Sequence, residues 1–327
     1  MYLRFYGLRE LPFELTPNPR FLYLTPAHRE ALANLQYGLS SSKAVTVVIG
    51  EAGTGKTTLI RTALESATCR NVRCIHLTNP GLTRDEFVEM LARGFGLTAE
   101  ASRSKATLLT ELERELRERR SRGEVTALIV DEAQRLSDEL LEEVRLLANI
   151  ETATEKLLPL VLVGQPELSD RLNETGLRQL KQRVALRCEI VPLSLAEAAA
   201  YIAFRIRTAG GDAARLFTRE AVTSIYELSH GIPRTISVIC DNALLGGFAA
   251  GKQPVSRDVV AEVARDFDYA RRPAATLAAN DRPESSLLES SPLVDAPGSV
   301  TPEVDASEAD VESDTPRRFT IFGSSRS

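Results

Sequence analysis

The sequence contains no tryptophan, three histidines and four cysteines in 327 residues. The cysteines form no CxxC pair and the histidines are scattered, which argues against a disulfide framework and against a zinc site. The longest apolar runs, 127–130 and 157–163, are far shorter than the roughly 18 residues that suggest a membrane helix. The first ten residues also lack the apolar segment of a signal peptide. We therefore expect a cytoplasmic protein with no membrane span.

The formal net charge of -5 is unevenly distributed. Residues 281–327 carry ten acidic and four basic side chains, which leaves a net charge of +1 for residues 1–280. Such a nearly neutral body argues against a general binder of polyanions. From about residue 271 the chain is rich in serine, proline and acidic residues, so we predict a disordered tail over 271–327.

Short apolar runs alternate with amphipathic segments before that tail. The runs 44–49, 72–77, 125–130, 159–163 and 187–191 predict strands, and their alternation with helices predicts an α/β fold with a mostly parallel sheet. After residue 192 the pattern predicts four helices, at 195–208, 219–229, 233–250 and 257–266. We therefore divide the chain into an N-terminal arm and first helix packing on the core (1–42), an α/β domain (43–193), a small all-α lid (194–270) and the tail.

The strongest chemical signal follows the first predicted strand. Residues 50–57 read GEAGTGKT, a complete GxxxxGK[ST] motif that opens a helix. Its glycines allow successive backbone amides to converge on phosphate oxygens, Lys56 can reach the β- and γ-phosphates, and the Thr57 hydroxyl can bind Mg²⁺. The motif thus predicts ATP and Mg²⁺ as ligands. The predicted nucleotide-binding residues are Gly50, Glu51, Ala52, Gly53, Thr54, Gly55, Lys56, Thr57 and Thr58.

Two further strand ends carry side chains suited to phosphate chemistry. Asp131 and Glu132 follow the strand LIV, where Asp131 can hold the Mg²⁺ shell and Glu132 can polarise an attacking water. Adjacent acids of this kind fit enzymes that activate water better than kinases. Gln165 ends the fourth predicted strand and can contact the γ-phosphate or the water if that strand lies between the other two. Alternatively, Asp131 and Glu132 only cap the next helix, and Gln165 is only a polar turn residue before Pro166.

These segments resemble a known family. GEAGTGKT, LIVDEAQ, VGQPEL and the GIPR of residues 231–234 are similar to AAA+ ATPases of the general secretion pathway A component (ExeA/GspA-like) and exosortase-associated group. The opening FYGLRELPF at 5–13 strengthens the resemblance, which spans about residues 1–270. The longer members carry a membrane segment and a peptidoglycan-binding domain after the ATPase, whereas this chain continues into the acidic tail.

The resemblance implies a P-loop fold with strand order 5-1-4-3-2, which would place Gln165 between the phosphate loop and Asp131. It implies that Arg234 is an arginine of the lid that senses the γ-phosphate, and that Arg183 or Arg187 completes the site of a neighbouring subunit. Each arginine could instead be an ordinary solvated side chain. An arginine acting between subunits requires a homo-oligomer, expected to be a ring.

The resemblance further implies an ATP hydrolase that energises or regulates envelope secretion or exopolysaccharide assembly. An alternative is an ATP-dependent DNA-binding regulator of the transposition type, similar to TniB and MuB. Such a protein would neutralise many phosphates and bind DNA in a strongly salt-dependent way. The near-neutral body and the FYGL opening favour the secretion group, with nucleic acid as the less favoured partner.

Overall fold

A parallel five-stranded sheet lies at the centre of the computed structural model, which describes residues 2–16, 18–78 and 81–267. The strands are, in chain order, β1 (Val45–Gly50), β2 (Val72–Leu77), β3 (Val125–Val130), β4 (Leu160–Gly164) and β5 (Val184–Ile190). Every neighbouring pair is parallel, and the order across the sheet is β2-β3-β4-β1-β5. The predicted order 5-1-4-3-2 is the same arrangement read from the other edge, so the α/β fold and its topology are confirmed.

The strands differ in how easily the sequence reveals them. Strands β1, β3 and β4 are buried along their whole length, as expected for inner strands covered on both faces. Strand β5 lies at an edge and opens with the short apolar run 184–186, in which no side chain is buried. The predicted start at Arg187 missed this run and was wrong, because the strand begins at Val184.

Helices join the strands and form the region that follows them. They are α1 (Tyr2–Tyr6), α2 (Pro26–Ser40), α3 (Lys56–Glu65), α4 (Arg84–Phe95), α5 (Lys105–Ser121), α6 (Asp138–Leu147), α7 (Pro166–Asn173), α8 (Arg178–Lys181), α9 (Leu195–Thr208), α10 (Ala213–Leu216), α11 (Arg219–Ser229), α12 (Pro233–Ala249) and α13 (Arg257–Asp266). Helices α9 and α11–α13 follow the predicted bounds closely, because their start signals are local, whereas the four-residue α10 was not predicted. Ser194, for example, forms a capping box with Glu197 at the start of α9.

The first 40 residues pack in two different places. Helix α2 covers the sheet, with Leu35 and Leu39 packed in the same cluster as Val48 and Ile129. The segment before it, which we call the arm (residues 2–21), packs instead among α9 and α11–α13. Its buried members are Tyr2, Tyr6, Leu8, Phe13 and Phe21. The expectation that both arm and first helix pack on the sheet domain is therefore corrected for the arm.

Polar contacts reinforce the docking of the arm on the lid. The Arg205 guanidinium on α9 donates to the carbonyl oxygens of Pro12 (Nε, 2.5 Å) and Glu14 (Nη2, 2.9 Å). It also lies over the Phe21 ring, 5.2 Å from the ring centroid. The Tyr2 hydroxyl donates to Asp241 on α12, and burial together with this carboxylate raises the pKa of Tyr2. These contacts require aromatic and polar partners far apart in the sequence, which explains why no local pattern predicts them.

The predictions of a disordered tail and of no membrane span concern features other than the sheet and the lid. The predicted disordered tail, 271–327, and the last three residues of the predicted lid lie outside the described residues. Within the described ranges, no helix combines the length and the apolar character needed to cross a membrane.

Candidate functional site

The loop between β1 and α3 has the backbone that a phosphate-binding loop needs. Gly53 and Gly55 adopt positive φ angles of 85° and 99°, which side chains with a Cβ rarely adopt. Gly50 lies close to β5, where an added Cβ would come within 2.6 Å of the Ile190 carbonyl oxygen. Helix α3 begins directly after the loop at Lys56, so its free amide groups and the positive end of its dipole face the space enclosed by the loop.

The Lys56 ammonium lies inside this loop. Its Nζ donates to the carbonyl oxygens of Gly50 (2.8 Å) and Glu51 (3.0 Å). The side chain is buried, and burial lowers the pKa of Lys56, whereas the charges of Glu132 and Asp131 act in the opposite direction. A buried cation that faces carboxylates at a helix start is suited to holding a polyanionic ligand.

Thr57 and the end of β3 meet at the edge of the loop. The Thr57 hydroxyl donates to Asp131 Oδ2 at 3.2 Å, although the two residues are 74 positions apart. The Asp131 Oδ1 accepts from the backbone amide of Glu132 at 2.9 Å. A hydroxyl and a carboxylate are the hard oxygen donors that Mg²⁺ prefers, and Mg²⁺ usually takes few protein ligands beside phosphates and water. This donor set therefore fits the predicted metal.

The Glu132 carboxylate is held by two amides at the ends of β3 and β4. Its Oε2 accepts from Gln165 Nε2 at 3.2 Å and from Gln134 Nε2 at 2.7 Å. Glu132 itself has a left-handed backbone, with φ 54° and ψ 36°. Backbone strain of this kind at a non-glycine residue occurs often at functional sites. Strand β4 lies between β1 and β3, as the resemblance implied, and this order brings Gln165 beside Glu132.

The lid approaches the loop through the start of α12. The Arg234 backbone amide donates to the Gly53 carbonyl oxygen at 3.2 Å, and Pro233 occupies the first turn of the helix. A cavity of about 410 Å³ lies between these parts. Its walls come from the arm, the loop, Glu132 and the lid, and they include Phe21, Tyr23, Lys56, Thr57, Tyr201, Arg205, Arg234 and Ser237.

His28 is a member of this cavity that the sequence analysis gave no role. It is buried at 5% exposure, with Nε2 3.3 Å from the Thr54 carbonyl oxygen and Nδ1 2.6 Å from the Thr25 hydroxyl. A carbonyl only accepts, so Nε2 carries the proton and Nδ1 accepts from Thr25. Burial lowers the pKa of His28, while the bond to Thr54 opposes the shift. Gln134, the last residue of the quoted segment LIVDEAQ, and Arg205 were also given no role, since neither residue type at its position indicates a partner.

The two candidate arginines of the neighbouring-subunit hypothesis lie away from the cavity. Arg187 is on β5 and donates through Nη2 to the Ser169 hydroxyl at 2.9 Å, and Arg183 precedes the strand. Parallel register pairs Val184 with the start of β1 and Ile190 with Gly50. Arg183 is therefore at the opposite edge of the sheet, roughly 23 Å from Ile190 along the strand. The structure does not bring either arginine to the site of its own chain.

Comparison with known proteins agrees with this geometry. Residues 39–172 match the family model described as an AAA domain, a range that includes the loop, Asp131, Glu132 and Gln165. This match confirms that these residues are similar to AAA domains, as the predicted resemblance and the predicted P-loop fold require.

A curated relative gives a second comparison. General secretion pathway protein A of Aeromonas hydrophila is 39% identical over 255 residues, which cover 78% of this chain. The match covers 46% of the relative, so this chain spans about half of that protein's length.

Solved structures match the AAA domain and lid at low identity. Cdc6p from Pyrobaculum aerophilum has a TM-score of 0.59 at 17% identity, covering 78% of this chain and 70% of its own. The ORC2 protein of Aeropyrum pernix, in a structure described as ADPNP-ADP complexes, has a TM-score of 0.54 at 18% identity, covering 78% and 71%. These similarities establish a shared fold.

Proposed function

We propose that this AAA protein binds MgATP at the β1–α3 loop and uses its hydrolysis, as a homo-oligomer, to energise or regulate envelope secretion. The observation that carries the proposal is the meeting of Thr57, Asp131 and Glu132 beside the buried Lys56 ammonium. Four groups with distinct roles in phosphoryl transfer thus converge from two segments, the start of α3 and the end of β3, that are far apart in the sequence.

The residues divide the chemistry between them. Loop amides and Lys56 bind the phosphates, and Thr57 with Asp131 would hold Mg²⁺. The bound ion would neutralise charge that develops on the phosphates. Glu132 orients and polarises the water, with its carboxylate held by Gln165. Arg234, on the lid and at the cavity wall, responds to the γ-phosphate and couples lid position to nucleotide state.

A neighbouring subunit completes the site in this proposal. Arg183 precedes β5 at the end of the strands opposite the loop, Arg187 lies in the middle of β5, and neither lines the cavity of its own chain. We therefore assign one of them to the stabilisation of transition-state charge in another copy. That requirement favours a closed ring. The secretion role is supported by the 39% identity to General secretion pathway protein A. A role in exopolysaccharide assembly is a second form of this proposal and rests on the predicted family resemblance alone. We place the protein in the cytoplasm, at the inner membrane through those partners.

The testing experiment measures MgATP turnover per protomer over a wide range of protein concentration. Turnover is expected to rise to a plateau as the oligomer forms, and the double variant Arg183→Ala, Arg187→Ala should lose the rise while keeping nucleotide affinity. Arg178→Ala, an exposed arginine on α8, is the matched control. Concentration-independent turnover by a particle that sizing shows to be a monomer would rule out the intersubunit arginine and the ring.

A second variant tests the role of Glu132. Glu132→Gln should bind MgATP with unchanged affinity and hydrolyse it at least about 100-fold more slowly, since general-base catalysis contributes on that order. Near-normal turnover would remove Glu132 from the reaction. Strongly salt-dependent, ATP-dependent binding to DNA would instead favour the transposition-type alternative.

A further inference from the structure

Gln134 is placed to act on Glu132 from the one-turn 3₁₀ helix Ala133–Arg135. Its side-chain Nε2 donates to Glu132 Oε2 at 2.7 Å, the shorter of the two amide bonds to that oxygen. Its Oε1 accepts from the Gln165 backbone amide at 3.2 Å. Both ends of one side-chain amide are therefore used, one on the carboxylate and one on the end of β4.

The surrounding structure makes room for this side chain and holds its backbone. The Gln134 carbonyl oxygen accepts from Arg171 Nη1 at 2.8 Å, which anchors the turn independently of the side chain. Gly164 faces the amide closely, and a Cβ at that position would lie 2.8 Å from Gln134 Oε1. The glycine at the end of β4 thus leaves the space that the amide fills.

The effect on Glu132 is directional. Among the hydrogen bonds of the described residues, both that reach the Glu132 carboxylate end on Oε2, which leaves Oε1 as the oxygen open to a water. Because Glu132 already has a left-handed backbone, its side chain starts from an unusual direction and depends on these bonds for its orientation. Gln165 supplies one bond directly, and Gln134 supplies the other while it also binds the backbone of Gln165.

From this arrangement we infer that Gln134 is a positioning residue, which aims the Glu132 carboxylate and ties it to the end of β4. The inference deepens the proposed ATPase function and rests on it. Only a primary amide of this length offers a donor to the carboxylate and an acceptor to the Gln165 amide at once. A change at the end of β4 would therefore reach Glu132 by two routes, directly through the Gln165 side chain and from the Gln165 backbone through Gln134.

Gln134→Ala and Gln134→Glu separate this role from packing. Each should lower kcat for MgATP on the order of 10-fold, the size expected for losing a hydrogen bond to a charged group. The dissociation constant for MgATP should change less than about 2-fold, because Gln134 contacts neither the loop nor Lys56. Gln134→Glu keeps the shape of the side chain and the acceptor to Gln165, so near-normal turnover in this variant would refute the role. Gln179→Ala, on an exposed glutamine of α8, is the control for a surface glutamine change.

A double-mutant cycle identifies the residue through which Gln134 acts. Glu132→Asp shortens the carboxylate and removes it from reach of the Gln134 amide. Adding Gln134→Ala to that variant should then change its single-turnover rate less than about 2-fold, since the pathway is already broken. A further 10-fold loss, in proportion to that in the native background, would assign Gln134 a structural role and overturn the inference. Absence of MgATP turnover in the unsubstituted oligomer would instead refute the proposed function itself.

Discussion

Gly53→Ala tests whether the lid rests on the phosphate-binding loop. An added Cβ would lie 2.8 Å from Arg234 Cβ and 3.1 Å from Ile232 Cγ2, closer than carbon atoms approach without displacement. Gly55 offers a matched control on the same loop, because it also has a positive φ and a Cβ there would meet nothing within 4 Å. Both substitutions carry the backbone penalty, and only the one at Gly53 acts on the lid.

The size of the difference follows from these contacts. Placing a residue with a Cβ at positive φ costs about 1–2 kcal/mol, and this applies to both variants. At Gly53 the lid must also move away, which breaks the bond from the Arg234 amide to the Gly53 carbonyl and costs about 1 kcal/mol. If the lid stays in place, the overlap costs about 1–3 kcal/mol instead. We therefore expect Gly53→Ala to be less stable than Gly55→Ala by at least about 1 kcal/mol.

Urea unfolding without nucleotide measures this difference directly. The second arm of the experiment is Arg234→Gly, which removes the Cβ that the new methyl group would meet. In the native background it should cost about 1 kcal/mol, as glycine does in a helix, and in the Gly53→Ala background it should cost less. Equal stabilities of Gly53→Ala and Gly55→Ala, with additive effects of Arg234→Gly, would refute the contact between lid and loop.

Two further predictions concern the loop and the buried histidine. Lys56→Ala should weaken MgATP binding by about 100-fold or more, since a charged donor to phosphate is lost. Lys181→Ala, at an exposed lysine, should leave MgATP binding unchanged. Titration with a fluorescent nucleotide would distinguish the two variants, and tight binding by Lys56→Ala would contradict the loop assignment. Burial in the folded state lowers the pKa of His28, so the unfolded state binds more protons as pH falls below about 6.5. The contribution of neutral His28 to the free energy of unfolding is therefore complete above that pH and is lost as the pH falls below it. His28→Gln should flatten this loss, by up to about 1.4 kcal/mol per pH unit, in urea unfolding at pH 7.5 and 5.5, while the exposed His230→Gln leaves it unchanged.

Local signals predicted the elements that position the site. The inner strands are continuous apolar runs, and the start of α9 is marked by a capping box, so both were found within a residue or two. The glycines of the loop motif predicted a backbone that other residues rarely adopt, and Gly53 and Gly55 do have positive φ angles. Gln165 lies beside Glu132 because β4 lies between β1 and β3. That strand order was expected from the family resemblance, since residue spacing alone does not give it.

Contacts between distant residues were not predictable in the same way. The arm docks on the lid through aromatic side chains that have no periodic pattern, and through Arg205, whose partners are backbone oxygens. His28 and Gln134 are single polar residues whose importance comes from what lies opposite them in space. The start of β5 was misplaced because the short apolar run 184–186 was not recognised as part of the strand.

The docking of the arm has a consequence for how the chain is made. The lid core contains both the first described residues and the last described helices, so it is a discontinuous unit, with the sheet inserted between its two parts. During synthesis the arm leaves the ribosome first, yet α9 begins only at Leu195. At about 5–20 residues per second, the arm's aromatic side chains wait roughly 10–35 s for their partners. Vectorial folding therefore favours completion of the sheet before closure of the lid, and the aromatic side chains of the arm become buried only in that last step.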